Sequence, residues 1–400
     1  MNADSRPKIL YLITDVVSSA FLRGQLAFLI ESGYEVHVGV HVGGPVTGQF
    51  DPGVEVHELS FERVPSPWRD LKALFAVLSL IRRLRPDIVN SSTPKAGLLG
   101  SFAAWICRVP VRVYVVRGFR WEAARGASRR ILLIFEWISV SCANHVVFNS
   151  ASLKTVAERH RIIRPGRGWV LGRGSGNGVD TDRFRPPPIE ESERSQFRAE
   201  ARDRLGLEGG RVTLGFVGRM TVDKGIEDFA AVLLEHLHGR DDVGALIVGE
   251  LDSNDTPSRH VIAQLERNDR CVFAGWVCDT AVIYPAIDIL VFPSYREGLP
   301  NAVLEAQACG VPVVGYASTG TVDAVDEGKS GLLVATGNVA ALASAVAGII
   351  DDGERRRALS DAGPQWIAEH FARERLWTQL GDSYHRWLDY AGSPARGTSG

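Results

Sequence analysis

The stretch 287–314 constrains this chain more than any other. Ile287-Asp-Ile-Leu-Val-Phe292 and Val311-Pro-Val-Val314 are apolar runs of strand length. Between them Pro300 and Gly310 bracket a short helical segment. Proline suits a first helical turn because its missing N–H has no helical partner there. Glycine closes a helix because it accepts the left-handed conformation. Two apolar strands joined by a helix bury both strand faces in an open α/β sheet with helices on either side.

Seven residues separate two carboxylates in this unit, Glu297 just before the helix and Glu305 inside it. Ligands of open α/β sheets sit beyond the carboxyl ends of the strands. There the free N–H groups and positive end of a helix suit a phosphate. Carboxylates gain nothing from a phosphate but accept hydrogen bonds from neutral hydroxyls on either side of one. A diphosphate with polyols at both ends is a nucleotide sugar.

At 400 residues the chain exceeds what one core usually organises, so two domains are expected. A net charge of −2 lacks the basic bias of a nucleic-acid-binding protein. The five cysteines form no C-x-x-C pair, which favours reduced thiols in the cytoplasm. No run of His, Cys or Asp has metal-ligand spacing. The residues before Lys8 contain no apolar targeting segment, and no apolar run approaches the ~20 residues of a membrane span.

The run Glu297-Gly298-Leu299-Pro300-Asn301 through Glu305, followed by Ala308-Cys-Gly-Val-Pro-Val-Val314, resembles the C-terminal half of family 4 glycosyltransferases, which are retaining GT-B enzymes. The resemblance implies two Rossmann-like, doubly wound domains facing across a cleft, with a last helix crossing back to the first domain. Residues 1–184 with 372–390 are expected to form the acceptor-side domain. Residues 185–371 are expected to bind the nucleotide sugar, and 391–400 to be a disordered tail. By this resemblance Glu297 meets hydroxyls of the donor sugar and Glu305 meets the ribose. Gly298, Leu299, Pro300 and Asn301 line the donor loop, and Val277 contacts the base.

The second domain opens with strand Val212–Val217, then Gly218-Arg219 and Lys224-Gly225, which resembles the family's phosphate clamp. Bond breaking leaves a diphosphate with added negative charge. With no metal or other cofactor expected, Arg219 and Lys224 are assigned to neutralise it.

The first domain departs from the family more often. Where relatives carry Gly-Gly after the first strand, this chain has Ser18-Ser19-Ala20-Phe21 within an expected helix, Ser18–Ser32. Phe21 lines an acceptor pocket or belongs to an apolar helix face. Thr93-Pro94-Lys95-Ala96-Gly97-Leu98 is similar to a subgroup that builds bacterial surface polysaccharides. Lys95 meets an anionic acceptor or is simply solvated. Arg117 follows strand Val111–Val116 where relatives often have His. A guanidinium cannot accept a proton. Its readings are charge stabilisation, acceptor orientation or pairing with Glu122.

Residues 129–143 read as a buried helix or as a peripheral membrane contact. The glycines of 172–178 have the wrong spacing for a dinucleotide site. Arg185-Pro-Pro-Pro188 is a stiff linker.

The expected function is transfer of a hexose-type sugar from a nucleotide sugar, UDP-linked by expectation, to an acceptor hydroxyl with retention and without metal. The acceptor is a lipid-linked glycan precursor or a small natural product. The alternatives are a nucleotide-sugar 2-epimerase of the same fold and a catalytically idle partner subunit.

Overall fold

The computed structural model describes residues 6–42, 50–61, 66–174, 176–186, 190–252 and 256–392. The chain divides into two units, Met1–Gly178 with Glu374–Gly400, and Val179–Arg373. The linker prolines Pro187 and Pro188, and the tail from residue 393, lie outside the described residues.

The first unit is built on a parallel sheet ordered β3-β2-β1-β4-β5-β6-β7. Its strands are β1 Lys8–Asp15, β2 Glu35–His41, β3 Glu55–Glu58, β4 Ile88–Ser92, β5 Val111–Val116, β6 His145–Phe148 and β7 Trp169–Val170. Alternation along β1 explains why the whole strand is apolar. Ile9, Tyr11 and Ile13 pack with Leu26, Leu29, Tyr384 and Trp387 on one side. Leu10 and Leu12 pack with Val77, Ile81 and Ala103 on the other. The final helix, Arg373–Gly392, thus belongs to this sheet from Glu374 onward. Tyr384 bonds the Tyr11 hydroxyl at 2.9 Å and accepts from Asn90 Nδ2 at 2.6 Å.

The second unit has the order β10-β9-β8-β11-β12-β13, again all parallel. Its strands are β8 Val212–Val217, β9 Val243–Val248, β10 Cys271–Gly275, β11 Ile289–Phe292, β12 Val313–Tyr316 and β13 Gly331–Val334. In each sheet the order reverses beside the first strand, between β1 and β4 and between β8 and β11. Those reversals are the switch points where doubly wound folds bind ligands.

Three expected elements differ. The helix expected at Ser18–Ser32 is a 3₁₀ segment, Val16–Leu22, and then an α-helix, Gln25–Glu31. The break falls at Gly24, whose φ is +76° and whose added Cβ would come within 2.6 Å of Trp377. Asp279–Ala286, which the sequence reads as a helix leading to Ile287, is two 3₁₀ turns, Thr280–Val282 and Tyr284–Ala286. Pro285 cannot supply the N–H that a continuous helix needs. Pro300 is the N-cap of helix Asn301–Ala308 rather than part of its first turn. Its carbonyl accepts from Val303 N and Leu304 N, both at 3.2 Å.

Candidate active site

The second unit gathers its charges at the β8/β11 switch point. Lys224 follows β8 by a short loop, and Glu297 follows β11. Lys224 Nζ lies 2.6 Å from Glu297 Oε1, and both side chains are largely buried, at 20% and 13% exposure. Ser294 Oγ donates to the same oxygen at 2.8 Å. The Glu297 backbone N–H donates to Thr319 O at 2.9 Å. Gly320 lies against this turn so closely that an added Cβ would stand 2.7 Å from Gly298 O. A side chain at position 320 would push the carboxylate loop out of place.

Around this pair the loops are tied by charge. Arg296 Nη2 lies 2.9 Å from Asp223 Oδ2, and Thr221 donates to Asp223 Oδ1 at 2.6 Å. Arg219 stands at the end of β8 and pairs with Asp252, with the guanidinium mostly exposed. An exposed ion pair contributes only ~0–1 kcal/mol, so Arg219 exchanges partners at little cost.

Glu305 is the fifth residue of the helix Asn301–Ala308, just over one turn from its start. Thr280 Oγ1 and Tyr284 Oη both donate to its Oε2 at 2.9 Å. Burial raises its pKa above the usual carboxylate value, and the two hydroxyls oppose that shift. Gly298, Leu299 and Pro300 are buried in the loop, while Asn301 is exposed. Val277 is half-buried against the same core as Leu299.

Sequence reading proposed Glu297, Lys224, Arg219 and Glu305; the structure adds their partners Ser294, Thr280 and Tyr284, and Asp223 beside Lys224. Ser294 and Asp223 carried a signal, since one stands three residues before Glu297 and the other next to Lys224. Tyr284 reaches Glu305 from another element, which no local pattern announces.

The first unit is organised differently. Arg117 leaves β5 with its guanidinium carbon 4.8 Å from the centre of the Phe21 ring. Two residues expected on the acceptor side therefore meet. Gly176 lies against Arg117, where an added Cβ would be 2.0 Å from Nη1. Burial pushes the Arg117 pKa down to about 10, partly offset by Tyr11 and Tyr384. Arg117 Nε has no hydrogen-bond partner, and no carboxylate pairs with this arginine among the described residues. The expected alternative of pairing with Glu122 is not what forms.

Lys95 is neither solvated nor beside Arg117. Its Nζ lies 2.6 Å from Asp70 Oδ1, and its side chain is 14% exposed. At the β1/β4 switch point the hydroxyls of Thr14 and Thr93 bond at 2.7 Å. Thr93 has φ +71°, a strained conformation for a β-branched residue.

Two Rossmann-like units with charged residues at a switch point define a GT-B glycosyltransferase fold. The chain belongs to the group 1 glycosyltransferases: the family description "Glycosyl transferases group 1" matches residues 211–352, and "Glycosyl transferase 4-like domain" matches 19–174. It is 31% identical over 381 residues to the capsular polysaccharide biosynthesis glycosyltransferase CapM of Staphylococcus aureus, covering 95% of this chain and 97% of that one. It is 25% identical to an Escherichia coli UDP-Gal:alpha-D-GlcNAc-diphosphoundecaprenol alpha-1,3-galactosyltransferase, covering 80% and 81%. Among solved structures, Anabaena HepE in complex with UDP-glucose superposes with a TM-score of 0.74 at 19% identity, over 95% of this chain and 99% of that one.

The chain is thus a glycosyltransferase related to enzymes of bacterial polysaccharide synthesis. No helix among the described residues is long and apolar enough to cross a membrane.

Proposed function

We propose that this glycosyltransferase moves a hexose from a UDP-sugar to a hydroxyl of a lipid-linked glycan precursor, with retention and without a catalytic metal. One observation carries this reading: the Lys224–Glu297 pair at the carboxyl ends of β8 and β11. The carboxylate is held where it can accept hydrogen bonds from sugar hydroxyls. Lys224 spends one of its three donors on Glu297 and keeps the others for a phosphate. Arg219 leaves Asp252 to join it. Glu305 offers the oxygen not taken by Thr280 and Tyr284 to the ribose.

The acceptor attacks from the face the leaving group departs, and the departing phosphate oxygen takes the acceptor proton. The protein supplies charge stabilisation and positioning. Arg117 cannot act as a base. It stabilises the departing phosphate or orients the acceptor.

The lipid-linked acceptor is supported by the outer face of the first unit. The neighbouring helices Pro67–Leu84, Pro94–Ile106 and Gly126–Cys142 expose Trp68, Phe75, Trp105, Ile134 and Trp137. Aromatic and aliphatic side chains beside Arg129 and Arg130 suit the boundary of an anionic bilayer. This extends the membrane contact expected for 129–143 to three helices. The diphosphoundecaprenol substrate in the E. coli relative's name agrees with it.

A panel of nucleotide sugars scored by thermal stabilisation and by transfer tests the reading, because a ligand of the folded state raises its melting point. UDP-hexoses are expected to raise it most. Equal response to sugars lacking the nucleoside diphosphate rejects the proposal.

A further inference from the structure

At the outer edge of the first sheet, four polar side chains share one face. Register pairs His37 of β2 with Glu55 of β3. Alternation then puts Glu35 next to His37, and His57 next to Glu55, on that side. His37 is buried, His57 half-buried and Glu55 exposed. His37 Nε2 lies 2.9 Å from Glu35 Oε1, and Lys8 Nζ holds the same oxygen at 2.9 Å. The carboxylate accepts the Nε2–H, so His37 Nδ1 carries a lone pair. That lone pair meets His57 Nε2 at 3.1 Å and Glu55 Oε2 at 3.3 Å.

The three ligand atoms lie within 4.8 Å of one another. A proton bridges two such atoms at a time; a divalent cation engages all three. Ligand atoms ~2.0–2.1 Å from a tetrahedral zinc stand about 3.3 Å apart, which the two spacings from His37 Nδ1 match; His57 and Glu55 have only to close on each other for the third.

We propose that His37 Nδ1, His57 Nε2 and Glu55 Oε2 bind a zinc-class cation that clamps the edge strand β3 to β2. Glu35 serves as the outer carboxylate that fixes the His37 ring. When the cation enters, His57 moves its hydrogen to Nδ1 and presents Nε2. The exposure of Glu55 leaves the remaining position to water. Arg83 also acts on His57, and Glu55 offsets its charge. This site lies at the edge of the first unit's sheet and takes no step in sugar transfer.

The test is zinc binding to chelator-stripped full-length protein, in competition with a chromophoric chelator, alongside thermal melts. One equivalent is expected to bind and to raise the melting point. His57→Gln, on an exposed edge strand, is expected to weaken binding by more than about a hundredfold and to abolish the shift. Glu35→Gln, which removes only the outer carboxylate, is expected to cost about 10–100-fold. Cobalt substitution separates these ligands from the five free cysteines, because thiolate ligation adds strong near-ultraviolet bands. Failure to compete for zinc, binding unchanged in His57→Gln, or a thiolate spectrum overturns the proposal. None of these outcomes bears on the UDP-sugar reading, since no readout involves transfer.

Discussion

The two switch points share one topology and differ in how they handle charge. At β8/β11 the second unit carries opposite charges already paired: Lys224 with Glu297, Arg296 with Asp223 and Arg219 with Asp252. Such a site is preorganised, because a phosphate replaces existing partners and little has to be desolvated anew. At β1/β4 the first unit presents bonded hydroxyls, and nearby Arg117 is half-buried over the Phe21 ring, with no carboxylate partner among the described residues. The first arrangement suits one kind of ligand, a diphosphate flanked by hydroxyls. The second leaves, among the described residues, a cation against one aromatic ring and without a carboxylate, which under the proposed function faces the acceptor.

That contrast is open to direct attack. The largest effect is expected for Glu297→Ala, which removes the carboxylate from the paired side. Transfer should fall by more than about 10³-fold while the melting point shows a folded protein, and full turnover would falsify the donor-site assignment. Next is Lys224→Ala, which leaves Glu297 without its cation. A loss of about 10²–10³-fold is expected, with donor binding weakened as well. If Lys224→Ala changes neither, the pair is only a structural tie. Arg117→Ala probes the other side. Turnover is expected to drop roughly 10²-fold with donor affinity nearly unchanged; an unchanged turnover assigns Arg117 to structure.

A smaller effect concerns stability in the first unit, where charges are buried rather than paired. Burial raises the Glu136 pKa from 4.5 to about 7, although Tyr114 donates to it and opposes the shift. The fold therefore prefers the protonated carboxyl. This contribution is complete below 4.5 and is lost as pH rises towards about 7, a change on the order of 3 kcal/mol. Denaturant melts at pH 5 and pH 8 should show the decline, and Glu136→Gln should flatten it. No dependence of turnover on EDTA is the smallest expected effect. A strict metal requirement would contradict the roles given to Arg219 and Lys224.

The alternation of strands and helices was legible because it rests on local periodicity. Val111–Val116 and Val212–Val217 fall where the apolar runs predict them. The misplaced elements are those where a distant group intervenes or proline breaks a pattern. Trp377 fills the space at Gly24 and so divides the first helix, and Pro285 divides the segment before β11. Glu297, Glu305, Arg219 and Lys224 were recognisable from spacing and resemblance.

By itself the sequence determined that two parallel sheets form and which loops carry the carboxylates and cations. Those features depend on residues a few positions apart. The tertiary structure decided who meets whom. Lys224 reaches Glu297 across 73 positions, Lys95 pairs with Asp70, and His37 finds Glu55 and His57 on the next strand. Such pairings follow from sheet order and register, which bring together positions that no local repeat connects.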